Sequence, residues 1–197
     1  LGTETLGSIV SPSTRNGVTG LRPTFGRGSR AGAMALSWSM DKVGPMARSA
    51  LDCALVFDAI HGVDGRDASL LDAEFYYNQQ LDIASLRIGY VPDFFEGSRE
   101  GNDFDRRVLE DLESMGLNLE PLEWDVPLPV NALRIILNAE AAAAFDELTL
   151  SGKDTLLVNQ GATAWPNLFR SARMIPAVEY INANRIRHVL IQQMDQL

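Results

Sequence analysis

Between Leu86 and Trp124 the chain reads strand, helix, strand, and that order constrains the fold more than any other feature of the sequence. "LRIGYV" is apolar and bounded by turn signals, as a short strand requires. Asp103 follows as a helix cap, Phe104, Val108, Leu112 and Met115 recur on one face at helical spacing, and Gly116 ends the run. "LNLEPLEW" is then the next strand. Two strands joined through a helix lie parallel, because a hairpin suffices only for an antiparallel return. Helices must then cover the sheet, so the class is α/β, with a mixed, largely parallel sheet flanked by helices.

Other helices are legible beside this unit. In "RSALDCALVFDAIHG", Ser49 and Asp52 form a capping box, Leu51, Leu55 and Ala59 recur with helical period, and Gly62 closes the element. Residues 130–149 read as one alanine-rich helix. Ile175 to Leu197 read as a last helix, with Ile186, Val189, Leu190, Met194 and Leu197 along one side. Before residue 48 the texture changes: Gly at 2, 7, 17, 20, 26, 28, 32 and 44 and Pro at 12, 23 and 45 mark loops, with short strand-like pieces such as "GVTGL". The expected organisation is one α/β domain over residues 1–197, with residues 1–62 as its core segment and 63–197 as a helix and strand layer.

Composition excludes several classes. The 197 residues are 46% hydrophobic, enough for a real core, yet the apolar runs are interrupted by Asp, Arg or Glu and fall short of a membrane span. A soluble chain without membrane contact is expected, with the cytoplasm as default compartment for one cysteine and no export signal. Residues 1–50 carry six Lys or Arg against Glu4 and Asp41, whereas the rest carries 11 against 24, and the total is −9. Direct nucleic-acid binding is not expected, because that balance opposes phosphate and no aromatic residues interleave with the arginines. Cys53 lies in an apolar helical pattern and reads as a core residue. His61 and His188 stand in no metal-ligand spacing, so neither a metal nor a cofactor is expected.

The chemistry concentrates near the start, in "GTETLGSIVSPST". Glycine and small hydroxylated residues let a backbone turn tightly and leave amides free to point at a ligand. Ser8, after Gly7, suits a nucleophile presented at a turn, given a base for its proton and donors for the oxyanion. Leu6 and Val10 stand where a G-x-S-x-G elbow needs glycine, which excludes that motif. A Ser-His-Asp triad would need His61, better explained as a helix C-terminal cap, or His188, on a polar helix face and expected in solvent. "GRGSRAG" and "DGRD" lack the context of a dinucleotide or calcium loop and read as turns.

The stretch from "GTETLGSIVSPST" through "NGVTGLRPTFGRGSR" to "SWSMDKVGPMARS" resembles the amidase signature family, and "IPAVEYINANRIR" is similar to a later helix of it. The resemblance implies a hydrolase of carboxamides using a Ser, cis-Ser, Lys triad on an amidase signature fold, of which this chain would be an incomplete piece. Ser8 would be the nucleophile, and the backbone amides of Thr5, Leu6, Gly7 and Ser8 the oxyanion hole. The lysine base and cis-serine lie upstream in the family, so the isolated chain is expected to be inactive and to self-associate through exposed broken faces. Its substrate would be a small-molecule amide. Alternatives are the glutamine-hydrolysing subunit of a tRNA-dependent amidotransferase and a non-catalytic scaffold. Leu6 replaces a family Gly, Val10 an Arg and Asn16 a Cys. Glu4 is expected as a structural acceptor, Asp41 and Arg48 as loop anchors, and Thr3, Thr5 and Ser11 as hydrogen-bonders to the motif backbone.

Overall fold

The computed structural model describes residues 1–96, 101–123 and 129–196. Trp124, at the end of the second expected strand, and Leu197, on the expected terminal helix face, lie outside the described residues. The chain forms two compact units, Leu1–Tyr77 with Leu128–Leu197, and Asn78–Pro127.

The first unit begins with β1 (Gly2–Glu4), α1 (Val10–Asn16), β2 (Thr19–Gly20), β3 (Lys42–Gly44) and β4 (Met46–Ala47). β1 pairs antiparallel with β3, placing Glu4 opposite Lys42, and β2 pairs antiparallel with β4. Only glycine fits at position 44, since a Cβ there would lie 2.1 Å from the Leu21 carbonyl oxygen. The short helix α1 is not evident in the sequence, where Pro12 and three hydroxylated residues suggest loop. Pro12 falls in its first turn, where a proline is tolerated, and the amides on either side of it, Ser11 and Ser13, bond the carbonyls of Gly7 and Ile9. Gly17, at φ 62°, closes it.

Next comes α2 (Ala50–Ile60), capped as expected: the Ser49 hydroxyl accepts the Asp52 amide at 3.0 Å. Its buried side is Cys53, Ala54 and Phe57, while Leu51 and Leu55 face outward. The helix is apolar around most of its circumference, so periodicity alone does not select the face; packing on the β2–β4 ribbon does. Cys53 donates its thiol to the Thr19 carbonyl. His61 Nδ1 lies 2.8 Å from the Asp58 carbonyl oxygen, at the helix end.

In the second unit, β5 (Ile88–Tyr90), α3 (Asn102–Ser114) and β6 (Leu119–Pro121) make the expected β-α-β element, the strands parallel with Ile88 opposite Leu119. The N-cap is Gly101, at φ 94°, and not Asp103. Asp103 lies inside the first turn, where a carboxylate complements the helix dipole. Phe104 and Met115 remain exposed, and Leu117 is buried.

The first unit is completed by α4 (Leu133–Ala144), α5 (Asp146–Leu150), α6 (Trp165–Ala172) and α7 (Ala177–Asp195). The single helix expected over 130–149 is interrupted at Phe145, which leaves helical backbone (φ −107°, ψ 24°) as its ring stacks on Phe169 at 4.6 Å. α4 packs on α6 and α7, with Ile136, Ala141 and Ala183 excluded from solvent. The two alanines let α4 and α7 approach closely, and full burial of Ile136 or Phe169 contributes about 1.5–3 kcal/mol each. On α7 the buried line is Ala183 and Leu190, two turns apart, while Val189 and Met194 are exposed. Among the described residues no helix is long and apolar enough to cross a membrane. Among the described residues the α/β class is realised as three two-stranded pieces, two antiparallel and one parallel.

Candidate active site

Ser8 sits in the turn between β1 and α1. Two anchors bracket that turn: β1 holds Glu4 in register with Lys42, and Ile9, fully buried, starts the helix. Gly7, at φ 87°, turns the backbone between them through a region that L side chains avoid. Ser8 is therefore exposed at a turn whose flanks are fixed.

Glu4 is buried and works as the expected structural acceptor. One carboxylate oxygen accepts the amides of Ile9 at 2.8 Å and Val10 at 3.1 Å, and the other lies 3.7 Å from Arg22 Nε. Burial pushes this carboxyl up, but the amides of Ile9, Val10 and Gly7 and the Lys42 charge together hold it below its ordinary value. An ionised carboxylate with its oxygens engaged is no general acid. Arg22 supplies the cation that Val10 does not.

The other side of the turn is held from the edge of β3. The Thr5 hydroxyl donates to Asp41 Oδ1 at 2.5 Å, and not to the motif backbone. Asp41 Oδ2 accepts the amides of Leu36 and Ser37 at 2.8 and 3.0 Å, confirming this residue as a loop anchor. Lys42 Nζ donates to the carbonyl oxygens of Thr5 at 3.2 Å and Met40 at 2.5 Å. Burial and the Arg22 charge lower the Lys42 pKa, with Glu4 and Asp41 opposing them. Among the described residues the amides of Thr5, Leu6 and Ser8 meet no acceptor, whereas the Gly7 amide is engaged by Glu4. Leu6, in a position where glycine is usual, turns its side chain out, 62% exposed.

A cavity of about 230 Å³ lies beside the β1–β3 pair, lined in part by Thr3, Arg30, Trp38, Asp41, Lys42 and Asp67, with none of residues 5–8 in its wall. Trp38 belongs to the segment "SWSMD", which α4 and α7 fix through Glu140. That carboxylate accepts the Ser37 hydroxyl at 2.6 Å, the Ser39 amide at 3.0 Å, the Ser39 hydroxyl at 2.7 Å and the Tyr180 hydroxyl at 2.8 Å. Arg187 adds a bond to Ser39 Oγ at 2.7 Å. Burial raises the Glu140 carboxyl, but these donors outweigh it and the net displacement is downward.

Sequence reasoning did not find Lys42, Arg22 or Glu140. A signal for Glu140 exists, since it is the one carboxylate inside "NAEAAAAF"; the other two become visible only once β1 is paired with β3. His188 is exposed and His61 caps α2, so neither is placed as a base for Ser8. Among the described residues no group of three or more His, Cys, Asp or Glu side chains is arranged to hold a metal ion.

Residues 1–196 match the family described as Amidase. The chain belongs to the amidase family. Curated relatives of this amidase chain include the glutamyl-tRNA(Gln) amidotransferase subunits A of Alcanivorax borkumensis, 39% identical over 72% of the chain, and Ralstonia nicotianae, 36% identical over 85% of it. The chain spans 30% and 37% of those relatives' lengths, about a third. Among solved structures it is similar to one described as "An unexpected vestigial protein complex reveals the evolutionary origins of an s-triazine catabolic enzyme", at TM-score 0.77 and 29% identity, covering 95% of this chain and 40% of that one. It is also similar to a peptide amidase bound to the inhibitor chymostatin, at TM-score 0.66 and 28% identity, covering 92% and 42%. The Kluyveromyces lactis allophanate hydrolase, at TM-score 0.78 but 20% identity, over 99% of this chain and 32% of that one, shares the fold.

Proposed function

We propose that this chain is the nucleophile-bearing portion of an amidase that hydrolyses small-molecule carboxamides through an acyl-enzyme on Ser8. The observation that carries the reading is the turn itself: an exposed serine between two fixed anchors, with neighbouring amides left without acceptors.

In this mechanism a base removes the Ser8 proton as Oγ attacks the amide carbonyl carbon. The oxyanion is received by amides of Thr5, Leu6, Gly7 and Ser8, with Gly7 shared between this role and Glu4. Collapse breaks the C–N bond, the leaving nitrogen takes a proton, and water then releases the acyl group from Ser8. The base would be the lysine of a Ser, cis-Ser, Lys triad, supplied together with the cis-serine by polypeptide outside residues 1–197. No direct contact with nucleic acid belongs to this reading, and the isolated chain is expected to self-associate through apolar residues such as Leu55 and Ile181.

The test is covalent labelling of the full-length protein with a fluorophosphonate probe. Ser8 is expected to carry the adduct, and labelling that persists in Ser8→Ala defeats the proposal. Residues 1–197 alone are expected to hydrolyse no simple amide; ready hydrolysis lost in Ser8→Ala would show that the base lies within them. The curated relatives favour one narrower reading, a glutamine-hydrolysing amidotransferase subunit. Release of ammonia from glutamine by the full-length protein supports it over a general amidase.

A further inference from the structure

We propose that Lys42 is a positioning residue that aims the Leu6 amide at the oxyanion. The inference rests on the Ser8 reading above and adds to it a side chain placed by the β1–β3 register.

In a trans peptide the carbonyl of one residue and the N–H of the next lie on opposite edges of one plane. Fixing the Thr5 carbonyl therefore fixes the direction of the Leu6 N–H. Lys42 Nζ fixes it, donating to the Thr5 carbonyl at 3.2 Å and to the Met40 carbonyl at 2.5 Å. Its backbone stands opposite Glu4 in the ladder, so the side chain reaches one residue beyond the end of β1. The Leu6 N–H is turned away from Lys42, and among the described residues nothing accepts it. Asp41 holds the Thr5 hydroxyl at 2.5 Å, so adjacent residues of one strand edge grip both the side chain and the carbonyl of the residue that precedes the donor. Thr5 is buried, while Leu6, on the other side of the same peptide plane, is exposed.

Charged groups surround the ammonium from two elements and one loop: Glu4 from β1, Asp41 at the start of β3, and Arg22 from the loop after β2. The ammonium carries three donors, of which two are used by carbonyls, and this geometry needs a long unbranched side chain with more than one N–H. Arginine has both properties, glutamine has only short reach, and methionine has neither donor.

The experiment measures fluorophosphonate labelling of the full-length protein, separating the maximal inactivation rate from the half-saturating probe concentration. Lys42→Met is expected to lower the maximal rate about tenfold, a part of the hundredfold or more that follows outright loss of an oxyanion donor. The half-saturating concentration is expected to change less than about twofold, since the ground-state probe does not use the hole fully. Lys42→Arg is expected to recover most of the rate. An unchanged maximal rate in Lys42→Met, or equal loss in Lys42→Arg, overturns the proposal. If Lys42→Met yields no folded protein, Lys42→Gln is measured by the same two quantities and the same criteria. Ser8→Ala separates the two levels of argument: labelling that survives it removes the Ser8 reading, while labelling lost there and intact in the Lys42 variants removes only the role of Lys42.

Discussion

Replacing Glu140 by glutamine removes one charge and almost no volume, and so isolates what the buried carboxylate contributes. Four donors converge on it, from Ser37, twice from Ser39, and from Tyr180. The backbone amide of Ser39 cannot become an acceptor, so the new carboxamide oxygen must face Ser37 and the Ser39 amide. Its NH₂ then meets the Ser39 and Tyr180 hydroxyls, and Ser39 Oγ already accepts from Arg187. Two bonds lose charge assistance at about 1 kcal/mol each, and two hydroxyls lose their acceptor at about 1 kcal/mol each, so stability falls by about 4 kcal/mol. For a chain of this size that corresponds to about 8–16 °C in Tm. The carboxyl is held below its ordinary value of 4.5 in the folded protein, so its contribution is complete at neutral pH and lost as pH falls through the folded value. Urea denaturation of wild type and Glu140→Gln should show a deficit that is level from about pH 6 to 8 and narrows in acid. A deficit under about 1 kcal/mol, or one that widens on acidification, refutes this account of the network.

Two further outcomes are expected. Glu4→Gln should lower stability by about 2 kcal/mol, because amides at the start of α1 lose a charged acceptor; urea titration checks it, and the effect should shrink as pH falls through the depressed carboxyl value. Phe169→Ala should remove about 3–5 kcal/mol, measured by thermal unfolding, since its ring is buried between those of Phe145 and Trp165; a loss below about 1 kcal/mol contradicts that stack.

What was legible in the sequence was local. The Ser49 cap of α2 and the β-α-β order of the second unit depend on residues within one turn or one helix length, and their chemistry is written side by side. The sequence points to Asp103 for the start of α3 because Asp has cap chemistry, whereas the observed cap, Gly101, takes a positive φ that no side chain advertises. Phe145 ends α4 through a partner 24 positions away, which no helical period records. The turn at Ser8 is half legible: glycine and serine spacing marks it, and the resemblance points to Ser8 as the proposed nucleophile. Its supports, Asp41, Lys42 and Glu140, become neighbours only after β1 pairs with β3 and α4 packs under residues 37–39.

The Glu140 clamp also sets an order of events. Ser37 meets Glu140 across 103 positions, and Ser39 meets Arg187 across 148. A ribosome adding about 5–20 residues per second needs roughly 5–20 s to supply the first partner and somewhat longer for the second. Through that interval the emerging segment around Trp38 lacks the partners that α4 and α7 supply. The exposed turn at Ser8 thus leaves the ribosome well before the residues that latch its neighbouring segment.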